Sequence, residues 1–508
     1  MSLQGKARFL SAPQKEALWI LGIVLTVGSV YLYTLLPGVG YSGDSAKFQF
    51  VGAVLGTPHA TGYPLYMMLG YLFAKVFPLG TLAYKANLLS ALASLGCLVA
   101  IYSLCRGLRV SRLNAAAAVI IFAITPLYWG QSIVAEVYTL HAMLMAIVML
   151  LLTRWSMGGS DRWLLFGLGI YALSFGHHMS SILLLPAMVW LIGSTNWRVI
   201  LRPRVMGLTL LSITLSALQY AYLLWRYYDP NTRYLEVAVP DLDMLIWTLR
   251  GATFQQRMFG FSLAELLHDR IPMFAGLAIA QYGLLLLLIA YGVWRLRPLR
   301  INLFLLLYLA TNTIWSLNYN IFDIDVYFIP GFLVMAVYLA VGLNAIQASL
   351  PAQLPKAVWP LLLLLPLILA SGRIDEVSQR NNTGVQVEVE SVLETIDADA
   401  VIVSPGYNFS EYFWYYLIGL DLQRTHNLYL RHQLNVDSIR AYIEDDVPLD
   451  RMPDRKPVPP GLSVYFFLPA LNDPDRAEAE RRIDLLEQGG LLLEPHEDRV
   501  YMVHGSQP

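Results

Sequence analysis

Charge is scarce in this chain. Asp, Glu, Lys and Arg make up 14% of its 508 residues, against about 25% in soluble domains. So little charge cannot cover a water-facing surface, and with 56% apolar residues the sequence implies that a lipid bilayer is much of its solvent. Neither sign of charge is in excess. The net charge of -1 gives no reason to expect a nucleic-acid partner. Cysteine is nearly absent as well: Cys97 and Cys105 fall in one apolar run. Eight residues of helix hold them about 12 Å apart, beyond disulfide reach, so both read as small core residues. The sequence shows no internal repeat, heptad array or low-complexity tract. No small-residue cleavage site follows the first apolar run, which therefore reads as a retained span.

Long apolar runs are what the chain has instead. They recur at 17–36, 85–105, 113–129, 133–153, 163–176, 179–194, 205–225, 272–294, 299–316, 327–348 and 356–371, which predicts about eleven transmembrane helices. Residues 63–79 are apolar but interrupted by Pro64, Pro78 and glycines, and read as an interfacial helix. Arginines mark alternate connections: Arg106/Arg109/Arg112, Arg154/Arg162, Arg198/Arg202/Arg204 and Arg295/Arg297/Arg300, with Lys6, Arg8 and Lys15 before the first run. Cytoplasmic loops gather such residues. The opposite side then receives the first loop 37–84, the loop 226–271 and everything after 372. Residues 1–371 are thus expected to form a transmembrane domain with a cytoplasmic N-terminus. Residues 372–508 carry more charge, and short β-rich runs (AVIVS, NLYL, SVYFFL, RVYMV) alternate with helical patterns (SEYFWYYLIG, VDSIRAYIED, DRAEAERRIDLLEQ). That alternation predicts a small extracytoplasmic α/β domain, with a loop at KPVPPG (456–461).

The polar clusters collect on the outer side. YSGDSAKFQFVGAVLGTPHATGYPLY follows the first run and carries Asp44, His59 and Tyr63. YWGQSIVAEVYTLH carries Glu136, Tyr138 and His141; SFGHHMSS carries His177 and His178; NYNIFDIDVYF carries Asp323 and Asp325. The loop 226–271 adds Arg226, Asp229, Arg233, Glu236, Arg250 and Arg257. An acid beside hydrocarbon is costly and commonly functional. A carboxylate can act as general base toward a hydroxyl, and arginine or histidine can neutralise a phosphate. Together they suit sugar transfer from a lipid phosphate at a membrane surface. Plainer readings compete: Asp44 as a helix N-cap, His59 as a satisfied turn residue, His177 and His178 as interface residues, Glu136 as an acid at a helix start. D-x-D at Asp323 and Asp325 leaves a divalent metal open without favouring it, and no cofactor is implied. A transporter of lipid-linked sugar would need polar residues through the spans, which are nearly free of charge. A non-catalytic scaffold would leave the outer clusters dispersed in space.

The order of motifs adds a resemblance. GDS, then GTPHATGYPLY, then P-x-G-x-x-A-Y-x-x-N-L-L-S-A, then W-x-Q-S-x-V-A-E-V-Y-x-L, then HH, over about residues 40–180, resembles one family of multi-pass enzymes. It includes the animal transmembrane O-mannosyltransferase of plexin-type receptors and many bacterial relatives. The resemblance implies a GT-C fold and a first outer loop whose acid, here Asp44, is the catalytic base. It implies a polyprenyl-phosphate sugar donor, mannose or a similar hexose, and inversion at the anomeric carbon. The acceptor would be a hydroxyl of a protein, glycan or lipid, at the outer face of a bacterial plasma membrane. On this reading His59, Tyr63, Glu136, Tyr138, His177, His178, Arg226, Arg233, Arg250 and Arg257 are candidate substrate-binding residues, and no metal ligand is assigned. Ser45 follows Asp44, so the acid pair of some related enzymes is not present. Ala60 stands where many relatives have proline after the histidine.

Overall fold

The computed structural model describes residues 11–351, 359, 364–422, 427–431, 462–470, 473, 475–497 and 499–504. Among the described residues, six helices are long and apolar enough to cross a membrane: Ala12–Thr34, Leu82–Gly107, Tyr138–Ser156, Met179–Leu201, Pro203–Tyr228 and Ile324–Ser349. Two bent pairs raise this to eight if each is one span. Arg112–Ala123 and Pro126–Ser132 meet at 73°, and Leu263–Tyr282 and Leu285–Arg295 at 98°. The chain is therefore a multi-pass membrane protein. The bends have local causes. Thr125 is extended and Pro126 opens the next helix, where its missing N–H costs nothing; Gly283 takes a φ of +52°, which a residue without Cβ tolerates. The runs at 163–176 and 299–316 are the helices Asp161–Ser174 and Leu299–Leu317. The run 356–371 and the segments VDSIRAYIED and KPVPPG fall wholly or partly outside the described residues.

The first loop is built by caps and buried amides. Ser42 caps the short helix Gly43–Phe48, and Pro64 opens the helix Pro64–Val76. Gln49 and Asn87, both buried, tie the loop to the bundle. Gln49 Nε2 donates to Asn87 Oδ1 at 3.1 Å, and Asn87 Nδ2 donates to the Leu36 carbonyl at 2.9 Å. Buried amides must find such partners, so the loop's path is fixed. A second strap joins Thr57 to a distant segment: its N–H donates to the Tyr234 carbonyl at 3.0 Å, and Glu236 N–H donates back to the Thr57 carbonyl at 2.9 Å.

The C-terminal region holds a five-stranded sheet: β1 (Asp399–Val403), β2 (Asn427–Arg431), β3 (Ser463–Phe467), β4 (Leu492–Glu497) and β5 (Val500–His504). The spatial order is β2-β1-β3-β5-β4, with β1 parallel to β2 and β3, and β5 antiparallel to β3 and β4. Four strands coincide with the β-rich runs of the sequence; β4 was not expected, and its exposed LLEPHE lacks their apolar character. Side chains alternate between faces. Val401, Val403, Val464 and Phe466 form a small core with Ala479 and Leu486 of the helix Arg476–Gln488. Ala400, Ile402, Tyr465 and Phe467 face the other way and join the main core, which is continuous with the helix bundle. The helix Tyr407–Trp414 leaves the carboxyl end of β1 and packs on Gly43–Phe48.

Candidate active site

Asp44 lies in the first turn of Gly43–Phe48, where the helix N-terminus favours an anion. One turn later Lys47 projects from the same face. Its side chain is wholly buried, with the ammonium 3.4 Å from Asp44 Oδ1, 2.8 Å from Glu236 Oε2 and 3.6 Å from Glu411 Oε1. A lysine out of water persists only when paired. Burial pushes Lys47 down, but Glu236, Glu411, Tyr407 and Asp44 together hold it well above its usual range, so it is an ammonium. Burial conversely pushes Glu411 up, against the pull of Lys47.

Asp44 meets three groups through one oxygen. Tyr407 Oη donates to Oδ1 at 2.7 Å, Lys47 Nζ lies at 3.4 Å and His59 Nδ1 at 3.6 Å. Burial favours the neutral acid, but the charges of His59 and Lys47 and the Tyr407 hydrogen bond outweigh it, and the carboxyl lies below its ordinary range. Asp44 is a carboxylate at neutral pH. His59 is pushed down by burial and by Lys47, and its Nε2 lies 3.1 Å from Tyr63 Oη.

A cavity of about 570 Å³ opens beside Asp44. His59, Tyr63, Tyr138, His178, Arg250 and Arg257 line it, as do Glu236, Asp323, Tyr407 and an aromatic wall of Phe254, Trp315, Tyr319 and Tyr327. Tyr138 Oη donates to Asp323 Oδ2 at 2.9 Å. Neither Arg250 nor Arg257 has an ion-pair partner among the described residues. Four sequence candidates lie outside the cavity lining. Arg226 pairs with Asp229, three residues on, and Arg233 pairs with Asp421, so both are neutralised away from it. His177 is fully buried and its Nε2 lies 2.8 Å from the Val137 carbonyl. Glu136 accepts from Ser45 Oγ at 2.7 Å; burial, then the nearby charge of Asp44, pushes it up to about 8. His178 does line the cavity, but burial pushes it down to about 3, so it acts as a neutral imidazole rather than the expected cation. Among the described residues no group of three or more His, Cys, Asp or Glu is disposed to hold a metal ion.

Sequence reasoning did not single out Lys47, Tyr407 or Glu411. The D-x-x-K spacing of Asp44 and Lys47 was an available signal, since it puts both on one helix face. Nothing local marked Tyr407 or Glu411, which arrive from more than 350 residues away.

The whole fold has a solved counterpart. ArnT from Cupriavidus metallidurans superposes with a TM-score of 0.60 in its apo state, at 10% identity, covering 97% of this chain and 98% of that one. Its structure bound to undecaprenyl phosphate gives 0.64 at 12% identity, covering 96% and 97%. The architecture is thus the GT-C membrane fold of ArnT. Residues 44–201 match the family model described as Protein O-mannosyl-transferase TMEM260 N-terminal domain. The mouse Protein O-mannosyl-transferase TMEM260 is 33% identical over 136 residues, 26% of this chain and 19% of that protein. The relative of the same name in Dictyostelium discoideum is 28% identical over 128 residues, 24% and 15%. The likeness read from the GDS and HATGYP motifs therefore holds over this segment, while the match spans a fifth or less of these curated relatives' lengths.

Proposed function

We propose that this chain is an inverting glycosyltransferase that moves a sugar, mannose or a similar hexose, from a polyprenyl phosphate to an acceptor hydroxyl. The observation that carries the reading is the cavity itself: an ionised carboxylate, Asp44, and two arginines, Arg250 and Arg257, without an ion-pair partner among the described residues, line one space. Asp44 accepts the acceptor's proton as its oxygen bonds to the anomeric carbon. The bond from that carbon to the phosphate oxygen breaks, its electron pair leaves with the phosphate, and the arginines neutralise that charge. His59, Tyr63, Tyr138 and His178 orient the substrates. The names of the TMEM260 relatives support mannose and a protein hydroxyl, and the undecaprenyl phosphate of the ArnT structure supports a polyprenyl donor. A second cavity of about 410 Å³, lined by Leu168, Phe175, Met188 and Ile213 among others, shares Met179 and Leu249 with the first. Being almost wholly apolar, it suits a prenyl chain. In this reading residues 1–371 cross a bacterial plasma membrane eleven times from a cytoplasmic N-terminus, and residues 372–508 lie outside.

The test is transfer in nanodiscs with a synthetic prenyl-phosphate mannose and a Ser/Thr peptide. Prenyl phosphate release matched one for one by mannosyl peptide is the expected result. Intact donor crossing a liposome membrane, with no bond cleaved, would instead make the chain a transporter.

A further inference from the structure

We infer that Tyr407, supplied by the sheet-bearing region, is a positioning residue that locks Asp44 Oδ1 and so aims Oδ2 at the acceptor hydroxyl. The inference rests on the proposed role of Asp44 as base. Its ground is the direction in which hydrogen bonds can run. Lys47 has only protons to give, an ionised carboxylate can only accept, and a phenol has one proton and an oxygen that accepts. Lys47 Nζ lies 2.5 Å from Tyr407 Oη, and that oxygen lies 2.7 Å from Asp44 Oδ1. Lys47 therefore donates to Tyr407, and the tyrosine's one proton goes to Asp44. Lys47 cannot turn away, because Glu236 and Glu411 hold it from other sides.

A carboxylate otherwise turns through a broad, roughly two-fold torsion, and either oxygen would face the substrate. Here Tyr407, Lys47 and His59 all converge on Oδ1, while Oδ2 has no partner among the described residues. The asymmetry leaves one oxygen free for a proton. Core packing does not explain the tyrosine: it is 51% exposed and lines the cavity. The backbone makes room for it. A Cβ on Gly43 would lie 2.6 Å from Tyr407 Cε1, and Asn408 Oδ1 accepts from Gly43 N–H at 2.7 Å, clamping the two segments together.

The experiment is a pH–rate profile of the full chain in nanodiscs with synthetic prenyl-phosphate mannose. Tyr407→Phe keeps the ring and removes only the hydroxyl. The expected result is a kcat about 10- to 100-fold lower, the loss typical of a hydrogen bond to a charged group, with donor KM unchanged. A bond to the carboxylate stabilises the charged form, so its loss raises the pKa of Asp44. The acid limb of kcat/KM then moves to higher pH. Gly43→Ala keeps the hydroxyl but displaces the ring, and is expected to shift the acid limb the same way; it carries the test should Tyr407→Phe fold poorly. An unmoved acid limb in both variants overturns the inference, whether or not turnover falls. If Asp44→Asn is inactive while both variants behave as wild type, the base reading stands and only this inference fails. Full turnover by Asp44→Asn removes both.

Discussion

The two ends of the first spanning helix use the same residue types to opposite effect. Glu16 and the loop after Thr34 are separated by most of its 23 residues, a rise of about 30 Å. At the first end Glu16 is saturated. Arg106 and Arg112 each reach its Oε1 at 2.9 Å, and Tyr102 donates to Oε2 at 2.9 Å. Nearby, Arg202 pairs with Asp161, and Arg300 donates to the Ser156 carbonyl at 2.8 Å. At the other end Lys47 is buried among three carboxylates, and among the described residues Asp44 keeps one oxygen free and the two cavity arginines, Arg250 and Arg257, have no ion-pair partner. Charges that satisfy one another hold a fold together; charges held short of satisfaction remain available to a substrate.

That contrast can be broken by substitutions at either end. The largest effect is expected at Asp44. Asp44→Asn keeps the shape but cannot take a proton, and transfer should fall about 1000-fold, within the range of general-base catalysis, with the folded protein's melting temperature unchanged within a few degrees. Next come Arg250→Ala and Arg257→Ala. Each is expected to lower kcat/KM for the donor about 10- to 100-fold, and the double variant more, whereas Arg226→Ala and Arg233→Ala should act on stability rather than on donor use. A smaller effect, read in stability, is expected at Glu136. Its folded pKa is raised to about 8 from an ordinary 4.5, so the stability of its protonated form is complete below the ordinary value and is lost as pH rises through about 8. Melting temperature should therefore drop between pH 6 and pH 9 in the wild type, and drop less in Glu136→Gln. The smallest effect on activity is expected at the other end: Glu16→Gln should cost about 1 kcal/mol of stability and leave turnover per folded molecule as it was. Lost transfer in Glu16→Gln would dissolve the contrast.

The parts of this molecule legible in its sequence were those fixed by local pattern. Spans followed from runs of apolar residues, four strands from alternating apolar runs, and the place of Asp44 from a motif just after a span. What escaped depended on distance along the chain. Arg226 and Arg250 look alike in sequence, and only the fold tells them apart; Asp229 three residues from Arg226 was the one local hint, while the Arg233–Asp421 pair joins segments 188 residues apart. Tyr407 sits in the polar stretch SPGYNFSE between the strand run AVIVS and the helical pattern SEYFWYYLIG, where nothing local gives it a role, yet its position just after β1 brings it to Asp44. The bends at Pro126 and Gly283 were likewise invisible to hydropathy, because a broken apolar run and a straight one have the same composition.

The most direct test of the account is the anomeric configuration of the product, read by NMR after a single turnover with donor of known configuration. With Asp44 taking a proton rather than forming a bond to the sugar, the acceptor displaces the phosphate in one step, and the account predicts complete inversion. A product that retains the donor's configuration would contradict it, since retention requires two displacements and a group on the protein that holds the sugar between them.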